Sequence, residues 1–588
     1  MIPSPVMWHL MQAVRRILVT TWPSAIVALA AWISIVACID PAGSYPSMPE
    51  GPGLTIDEMF NVQQGVYLVE SARALGWYNF VPGTSIETFK PKNRYNPDHP
   101  PLGRYWLGVH HQLTWWIAPP FEPDGPFVTA CARTGSATAF ALTVWLIGAF
   151  ASCSLGPVDT SRLKTDEATP EEPADLRPPL RGESRCVGLF ASLALVLMPR
   201  VYGHAHLAAL ESITNLTCTA AVLAIAGWWK YSSPPSRRAA ILAGIVMGLA
   251  MLTKIQAILI PVPVLLWSLW RWRFKAVVPL LLWGLTALTL FFACWPYLWL
   301  DPVGHFLEYL GRTTNRATIH CYYFGVRYDD KAVPWHYPFF MFVVTVPIVL
   351  HILGVLGLKF RGAYPAVDQQ FDKVAPGDEV WINRLLLGCC LFPLIVFALP
   401  GVAVYDGERL FLTVFPIWAI FVGRGAACLF ASATSHYGSS FSKFAMSLLI
   451  VIQLTSNLLN HPTYLSYYNL AVGGLWGANA LGLEMNYWGD SVTRGLLRSG
   501  LDENSSSQLT SVQITPSLHQ FQNQELVVQS PILRDRMQHS STSKMNLLIT
   551  FRRRADVDDQ IFQEFQAFPE AGRRGSLFNL AIIDARHH

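Results

Sequence analysis

Long apolar stretches separated by short polar turns run through most of the chain. A stretch of about 17–25 apolar residues is long enough to cross a bilayer as a helix. The pattern predicts about 11 membrane-spanning helices. The first follows Arg15 and Arg16, and its apolar core is too long for a signal peptide, so we interpret it as a membrane anchor. The predicted helices cover residues 17–39, 127–152, 186–200, 207–229, 239–252, 256–270, 276–296, 337–358, 382–403, 409–430 and 442–460.

Residues 102–118 are apolar enough to be mistaken for a further crossing. Short cytoplasmic loops should carry the excess of Lys and Arg. The basic short loops at 230–238, 271–275 and 359–361 fall on the same side as the N-terminal arginines only if 102–118 does not cross. We therefore predict that 102–118 is an interfacial helix on the outer face, with the N-terminus of the chain inside and its C-terminus outside.

Three regions of the chain do not read as membrane helices. Residues 40–126 are predicted to form a large outer loop with interfacial helices, and the Pro- and acid-rich residues 155–185 a cytoplasmic linker. Residues 461–588 are predicted to form a small α/β extracytoplasmic domain. The fold class is therefore an all-α polytopic membrane protein, residues 1–460, followed by this domain. Its predicted strands are Leu526–Val528, Asn546–Phe551 and Leu577–Ile583.

Composition supports the membrane interpretation and excludes several other classes of protein. Hydrophobic residues make up 52% of the 588 residues and charged residues only 14%, whereas a soluble domain has about 25% charged residues. The formal net charge of +4 is too small for a nucleic-acid-binding protein of this length. The 10 cysteines show neither the paired spacing of a zinc site nor a disulfide framework.

Ionisable residues, which are costly inside a bilayer, cluster at the outer ends of the predicted helices. Asp57 and Glu58 follow the first crossing at the start of a helical pattern, where an acidic pair also suits the helix dipole without any catalytic role. The segment from Asn96 to Arg104 combines three prolines with His99 and a permanent cation. Either segment alone is compatible with a purely structural role.

A second group of ionisable residues lies in the outer turn 199–212. His204 and His206 are two positions apart, but Glu211 is the nearest further metal ligand, so no metal site is predicted. Glu211 begins an apolar helix, where capping of that helix is the alternative to a functional role.

Aromatic and basic residues at two later helix ends complete the outer set. His336 and Tyr337 lie in a Pro-Trp-His-Tyr-Pro segment, and Arg409 lies at the outer end of the tenth crossing. Aromatic residues at helix ends are also ordinary interface anchors, and Arg409 either pairs with an anion or extends to the interface. Together, the outer acids, histidines and cations suit proton abstraction from an acceptor beside a phosphate leaving group held by arginine.

The order of these motifs resembles that of the GT-C glycosyltransferases. The closest resemblance is to glycosyltransferase family 39, the protein O-mannosyltransferase and aminoarabinose-transferase group, in its bacterial branch. An acidic pair after the first membrane helix and a His-Pro-Pro-Leu-Gly motif with a following cation carry this likeness, which covers about residues 10–490. Glu211 matches the second acidic position, where Asp is more usual. Further matching motifs are Gly248–Lys254, Pro334–Pro338, Glu408–Pro416, His461–Asn469, Gly473–Gly474 and Tyr487–Gly489.

The resemblance implies a GT-C-like membrane fold and an inverting transfer of a sugar from a polyprenyl-phosphate donor to a hydroxyl of a lipid, glycan or protein acceptor. It implies a mannosyltransferase-like hexosyl or pentosyl transfer at the outer face of a bacterial inner membrane, with no cofactor required and no nucleic-acid partner. Asp57 matches the catalytic base, and Glu58 and Glu211 are further candidate catalytic residues. The candidate substrate-binding residues are His99, Arg104, His204, His206, Lys254, His336, Tyr337 and Arg409.

A transporter or flippase of a lipid-linked saccharide is the alternative function. Such proteins place ionisable groups or broken helices near the middle of the membrane, often within inverted repeats. Lys254 is the best candidate for such a group, although the sequence places it in a short outer turn and shows no internal repeat. Release of polyprenyl phosphate from a sugar donor would distinguish the enzyme from the transporter.

Overall fold

The fold is that of a mainly helical membrane protein with a small sheet near its C-terminus. A computed structural model of the chain describes residues 5–90, 94–123, 125–154, 181–314, 318–359, 378–499, 501, 509–515, 520–539, 547–551, 553–556 and 581–585. Most of the predicted linker 155–185 lies outside these residues.

The apolar pattern folds into helices in every stretch that it predicts. The α-helices are α1 (Pro5–Val36), α2 (Ile56–Leu75), α3 (Ser85–Phe89), α4 (Pro101–Ile117), α5 (Thr129–Ser154), α6 (Arg181–Val196), α7 (Pro199–His204), α8 (Glu211–Trp228), α9 (Arg237–Met251), α10 (Pro261–Trp272), α11 (Val277–Ala293), α12 (Tyr297–Leu300), α13 (Pro302–Thr314), α14 (Tyr337–Thr345), α15 (Ile348–Lys359), α16 (Asp378–Phe397), α17 (Val414–Tyr437), α18 (Ser439–Asn460), α19 (Gly474–Ala480), α20 (Arg494–Ser499) and α21 (Gln520–Asn523). Short 3₁₀ turns cover Gly76–Phe80, Ile255–Leu259, Arg273–Ala276, Arg409–Phe411, Tyr464–Ser466 and Leu470–Val472.

Six helical segments of the described chain are long and apolar enough to cross a membrane. The pair α14 and α15, bent by 107° relative to one another, is a seventh if the two helices form one broken span and not a re-entrant loop. The number of about 11 crossings stays a prediction, because several of the helices in the predicted stretches are shorter. The six segments are Val19–Val36, Thr129–Cys153, Ile255–Ala293, Asp378–Phe397, Val414–Tyr437 and Ser439–Asn460.

The predicted interfacial segment 102–118 is helical and packs tightly on its neighbours. It forms α4, which lies against α2 and α5. Close contact with α2 depends on two glycines, because a Cβ on Gly65 or Gly108 would lie within 2.5 Å of the backbone of the other helix. The N-terminal end of α2 is thereby fixed against the membrane helices, which matters because that end carries Asp57 and Glu58.

A four-stranded mixed sheet lies in the C-terminal region. Its order is β4-β3-β5-β6, with β3 parallel to β4 and β5, and β5 antiparallel to β6. Val512, Ile514 and Ile549 from this sheet share one hydrophobic core with Leu54 and Met59 at the start of α2. A separate hairpin, β1-β2, lies between α13 and α14. The strands are β1 (His320–Tyr323), β2 (Val326–Asp329), β3 (Thr510–Thr515), β4 (Met537–His539), β5 (Leu547–Phe551) and β6 (Ala581–Ala585).

Of the three strand predictions in the C-terminal region, one is wrong, and the described parts of the other two, 547–551 and 581–583, lie in β5 and β6. Residues 546 and 577–580 of those predictions lie outside the described residues. Leu526–Val528 belongs to the π-helical turn Gln524–Val528 and not to a strand. A short apolar run does not distinguish a strand from a buried helical turn. Here Glu525 bonds to the N-terminus of α5, with its Oε1 2.9 Å from the Thr129 backbone nitrogen, and a helical turn lets it do so while Leu526 and Val527 stay buried.

Candidate active site

The first turn of α2 sends its two acidic side chains into different environments. Thr55 is the N-cap residue, and Glu58 closes a capping box in which its Oε2 accepts the Thr55 backbone N–H at 2.8 Å. Asp57, one residue earlier, is not part of that box, and its side chain is 30% exposed. The box orients both residues, because it fixes the direction in which the helix begins.

Glu58 forms a completely buried ion pair with Arg133 of α5. Its carboxylate accepts from Nε and Nη2 of Arg133 at 2.7 and 3.0 Å and from the backbone N–H of Ala208 at 2.6 Å. Arg133 also donates to backbone carbonyls of Ile39, Pro52 and Gly53. The side-chain N–H groups of Arg133 and both carboxylate oxygens of Glu58 are all engaged in hydrogen bonds. The pair therefore joins α2 and α5 to the loop that precedes α2.

Asp57 contacts a different arginine, in a group that we name the Arg409 cluster: Arg409, Asp57, Glu211, Asp406 and Lys254. Arg409 Nη2 donates to the Asp57 carboxylate, Nε lies 2.9 Å from Glu211 Oε1, and Nη1 lies 3.1 Å from Asp406 Oδ2. Lys254 Nζ lies 2.6 Å from the same oxygen of Glu211. Three carboxylates thus surround two cations.

Segments far apart in the chain build the Arg409 cluster at helix ends. Asp57 comes from the first turn of α2, Glu211 begins α8, and Lys254 precedes the 3₁₀ turn after α9. Arg409 begins a 3₁₀ turn before α17, and the preceding Asp406 has a left-handed φ of 54°. That backbone conformation turns the loop so that Asp406 and Arg409 meet.

Aromatic residues close one side of the cluster. The Trp488 ring lies under the Arg409 guanidinium, with 4.2 Å from Cζ to the ring centroid. Trp488 and the adjacent Tyr487 are buried. An arginine stacked on an aromatic face keeps its edge free for planar hydrogen bonding to carboxylate or phosphate.

The His99–Arg104 motif is adjacent to the cluster but plays two different parts. Arg104 is fully buried and bonds Asp98, the carbonyl of Asn96 and Asn61, so it holds the loop together. His99 is partly buried and lies close to Asp98, Arg104, Lys254 and Glu211. Burial, opposed by Asp98, lowers the pKa of His99 to about 4, so its ring is neutral near pH 7.

A second buried ion pair lies behind the cluster. Arg200 of α7 donates to Glu408 Oε2 at 2.6 Å and to the Tyr467 carbonyl at 2.8 Å. His204 Nε2 lies 3.6 Å from the other oxygen of Glu408 and 3.4 Å from the Tyr487 hydroxyl. Burial would raise the pKa of Glu408, but the Arg200 guanidinium holds it below its usual range. The residue next to Arg409 is therefore anchored as an anion.

The remaining predicted residues lie in aromatic surroundings. His206 stacks on Tyr464, with 4.8 Å between the ring centroids, and its Nε2 lies 3.6 Å from the Cys38 sulfur. His336 bonds the Tyr323 hydroxyl at 2.8 Å. The Tyr337 hydroxyl accepts the Gly407 N–H at 3.0 Å, so it supports the loop that carries Asp406 and Arg409.

The structure therefore brings together Asp57, Glu211, Lys254 and Arg409, with His99 beside them. It places Glu58 and Arg104 in structural bonds, and His204 behind the cluster. Within the described part of the chain, no group of three or more His, Cys, Asp and Glu residues is arranged to hold a metal ion.

Several participating residues are missing from the predicted set. Trp488 lies within the matched motif Tyr487–Gly489, and Asp406 lies three residues before Arg409. Only their side-chain contacts assign these two residues to the cluster. Arg133 lies in an apolar helix, where a single arginine signals a buried anionic partner. Arg553, whose Nη2 lies 3.5 Å from Asp406 Oδ1, comes from the C-terminal region and carries no recognisable motif.

The cluster has the groups that a hydroxyl-to-sugar transfer needs. Asp57 is the most accessible of its three carboxylates, with 30% of the side chain exposed against 3% for Glu211 and 5% for Asp406. Arg409 pairs with Asp57, and Lys254 lies on the Glu211 oxygen that Arg409 also contacts. A carboxylate that reaches solvent next to paired cations can accept a proton while those cations stabilise a phosphate.

Comparison with solved structures gives likenesses at low sequence identity. ArnT from Cupriavidus metallidurans bound to undecaprenyl phosphate is 11% identical, with a TM-score of 0.44 over 96% of this chain and 97% of that chain. The archaeal oligosaccharyltransferase AglB from Archaeoglobus fulgidus, in complex with an inhibitory peptide and a dolichol-phosphate, is 9% identical, with a TM-score of 0.42 over 91% of this chain and 69% of that chain. The sequence matches no protein-family model and no curated protein.

Proposed function

We propose that the protein is a membrane glycosyltransferase that moves a sugar from a polyprenyl-phosphate donor to a hydroxyl acceptor, with inversion. The observation that carries the proposal is the Arg409 cluster, in which the partly exposed Asp57 carboxylate pairs with Arg409, and Arg409 shares the Glu211 carboxylate with Lys254. A lipid-linked donor suits such a position, because its tail stays in the bilayer while its sugar phosphate reaches the polar ends of the helices.

In the proposed reaction, Asp57 takes the proton of the acceptor hydroxyl as its oxygen attacks the anomeric carbon. The bond from that carbon to the phosphate oxygen breaks on the opposite face, which inverts the configuration. The bonding electrons leave with the polyprenyl phosphate. Arg409 and Lys254 stabilise the charge that develops on this phosphate, since charged hydrogen bonds are strongest in a site that excludes water.

Because Asp57 is paired with Arg409, binding of the donor phosphate also changes the basicity of Asp57. A carboxylate bonded to a guanidinium is a weaker base than a free one. When a phosphate takes over the Arg409 donors, Asp57 loses that partner and gains basicity. The base is thus activated at the moment when a leaving group is in place.

The sugar is proposed to be a hexose or pentose, mannosyl-like in its mode of transfer, and the acceptor a lipid, glycan or protein hydroxyl. The test incubates purified protein in detergent with a panel of polyprenyl-phosphate sugars and measures release of polyprenyl phosphate. The Asp57→Asn variant should lose release, and Glu70→Gln, an exposed acid on the same helix, should keep it. The proposal fails if no donor releases its lipid phosphate, or if Asp57→Asn is as active as the control.

The break between α14 and α15 is the feature of the fold that would best suit a transporter. Its hydrogen bonds favour the glycosyltransferase instead. Transporters use unwound carbonyls at such breaks to bind ions. Here the Val343 and Val346 carbonyls accept the Asn469 side chain, both at 2.7 Å, and His351 lies 3.2 Å from the Phe342 carbonyl. These carbonyls are already engaged by protein groups.

We place the cluster on the extracytoplasmic face of a bacterial inner membrane. Support comes from the basic short loops, which fall on one side when residues 102–118 stay outside. The test uses single cysteines at Ser161 and Ser505 in a cysteine-free protein, labelled from outside intact cells. Labelling at position 505 alone is expected, whereas labelling at position 161 alone would reverse the orientation.

A further inference from the structure

A short turn that follows strand β5 docks beside the Arg409 cluster. The Glu484 carboxylate accepts the backbone N–H groups of Arg554 and Ala555, both at 2.8 Å. The Tyr468 hydroxyl bonds the Glu484 carbonyl at 2.6 Å, which fixes the receiving loop in turn. The C-terminal region is therefore attached to the site through directed backbone bonds.

This docking brings a third cation to the cluster. Arg553 Nη1 donates to the Tyr487 carbonyl, and Nη2 lies 3.5 Å from Asp406 Oδ1. The other oxygen of Asp406 lies 3.1 Å from Arg409 Nη1. One buried carboxylate is thus shared between the arginine of the proposed phosphate site and an arginine of the C-terminal region.

Charge balance indicates what the shared carboxylate does. Arg409, Lys254 and Arg553 give +3, and Asp57, Glu211 and Asp406 give −3, so the formal sum is zero. Asp556, 2.8 Å from Arg553 Nε, is more exposed and more strongly screened by solvent. Without Arg553 the same set would be −1, and an incoming phosphate would meet a net negative site.

We infer that Arg553 is a positioning residue: by holding Asp406, it keeps Arg409 available to the phosphate of the lipid-linked donor. The inference rests on the proposed function, and it assigns a part in donor binding to the C-terminal region. Arg553 touches Asp406 and not the reacting atoms, so its effect is on affinity for the phosphate. A turn that only stabilised the fold would not change that affinity.

The test measures binding of farnesyl phosphate, a short polyprenyl phosphate, to the full-length protein in detergent, together with donor KM and kcat. Arg553→Gln should weaken binding and raise KM on the order of tenfold, the size of one unit charge at about 10 Å in a protein, with kcat nearly unchanged. Arg553→Lys, which keeps the charge, should bind more tightly than Arg553→Gln. Arg554→Gln is the matched control, because Arg554 docks on Tyr322, with 2.8 Å from Nη1 to the hydroxyl.

A second-site variant separates charge from structure. Adding Asp406→Asn to Arg553→Gln restores the formal sum to zero, and Asn tolerates the left-handed backbone at this position. We expect the double variant to recover most of the lost affinity. The inference is overturned if the double variant binds no better than Arg553→Gln, or if Arg554→Gln weakens binding equally. If the wild type binds farnesyl phosphate and transfers no sugar, only the proposed transfer fails, whereas absence of any binding overturns both.

Discussion

Asp57 and Glu58 are neighbours in the chain, yet they enter two arginine sites of opposite character. Around Arg133, one carboxylate and three backbone carbonyls use the guanidinium completely, and both partners have no exposed side-chain surface. Around Arg409, the hydrogen-bonding partners are three carboxylate side chains, and one of these reaches solvent. Arg133 cannot exchange partners without losing hydrogen bonds to backbone carbonyls. Arg409 can exchange a carboxylate side chain for another anion without such a loss.

This difference separates a structural ion pair from the pair that we propose to be reactive. A buried pair with saturated hydrogen bonds strongly resists loss of either partner, because the remaining charge would be left uncompensated. A site in which one guanidinium is shared among carboxylate side chains, one of them accessible from outside, can accept an anionic ligand by exchanging one acid for it. Charge alone does not distinguish the two sites, whereas the type of partner and its access to solvent do.

The largest expected effect is on the saturated pair. Arg133→Ala leaves Glu58 buried and unpaired, which should destabilise the protein by about 3–5 kcal/mol. Thermal unfolding in detergent and the yield of folded protein would measure this loss. Arg238→Ala, at an exposed position, is the control. An unchanged unfolding temperature for Arg133→Ala would contradict the structural role.

The next effect is on catalysis. Asp57→Asn keeps the size of the side chain and cannot accept a proton, so sugar transfer should fall at least about 100-fold, a typical general-base contribution. Its unfolding temperature should stay near that of the wild type. Glu58→Gln should instead lower folded yield, with a smaller loss of turnover per folded molecule. If Glu58→Gln is inactive while folded and Asp57→Asn is active, the base is Glu58.

A smaller effect should separate the two candidate phosphate-binding arginines. Arg409→Ala should raise the donor KM by roughly tenfold or more, because a hydrogen bond to a charged group contributes about 1.5–3 kcal/mol. Arg104→Ala should mainly lower stability, since Arg104 bonds Asp98 and Asn61 within its own loop. Donor kinetics and thermal unfolding of both variants would be measured side by side. Equal donor KM values for Arg409→Ala and wild type would move the phosphate to Lys254 or another cation.

The smallest effect concerns pH and the docking of the C-terminal region on α5. Burial, with a contribution from Glu58 and opposed by bonds from Thr129 and by Arg133, raises the pKa of Glu525 to about 7. The folded state thus keeps this proton to a higher pH than the unfolded state, so stability should fall as pH rises from about 4.5 to 7. Glu525→Gln should reduce the change in unfolding temperature over that pH range, by a few degrees or less. A slope unchanged by the substitution would assign the pH dependence to other groups.

Sequence patterns predict the helices well, because apolar length and basic loops are local properties. The difference between the roles of two adjacent acids is not a local property of the sequence, because it depends on the partners that each acid meets in the fold. The spacing of Thr55 and Glu58 is that of a capping box, and this signal alone points to a structural role for Glu58. Nothing in the sequence pairs Asp57 with Arg409, which is 352 positions away. The motifs place both residues at outer helix ends, and only folding brings them into contact.

The C-terminal region shows the same limit. Its strand Leu547–Phe551 is apolar and can be predicted from the sequence. The turn with Arg553 has no periodic pattern, and its position depends on the Glu484 carboxylate on which it docks. The predicted boundary at residue 461 also cannot reveal that Tyr487 and Trp488 pack against the site. Contacts of this kind depend on the assembled surface of several helices.

The break between α14 and α15 has a consequence for biogenesis. The amide that completes the hydrogen bonding of the Val346 carbonyl belongs to Asn469, which the ribosome adds 123 residues later. A bilayer offers no water to occupy such a carbonyl in the meantime. We therefore expect the 337–359 segment to stay in a hydrated environment, beside the insertion machinery, until the residues after α18 have been translated and folded back onto it.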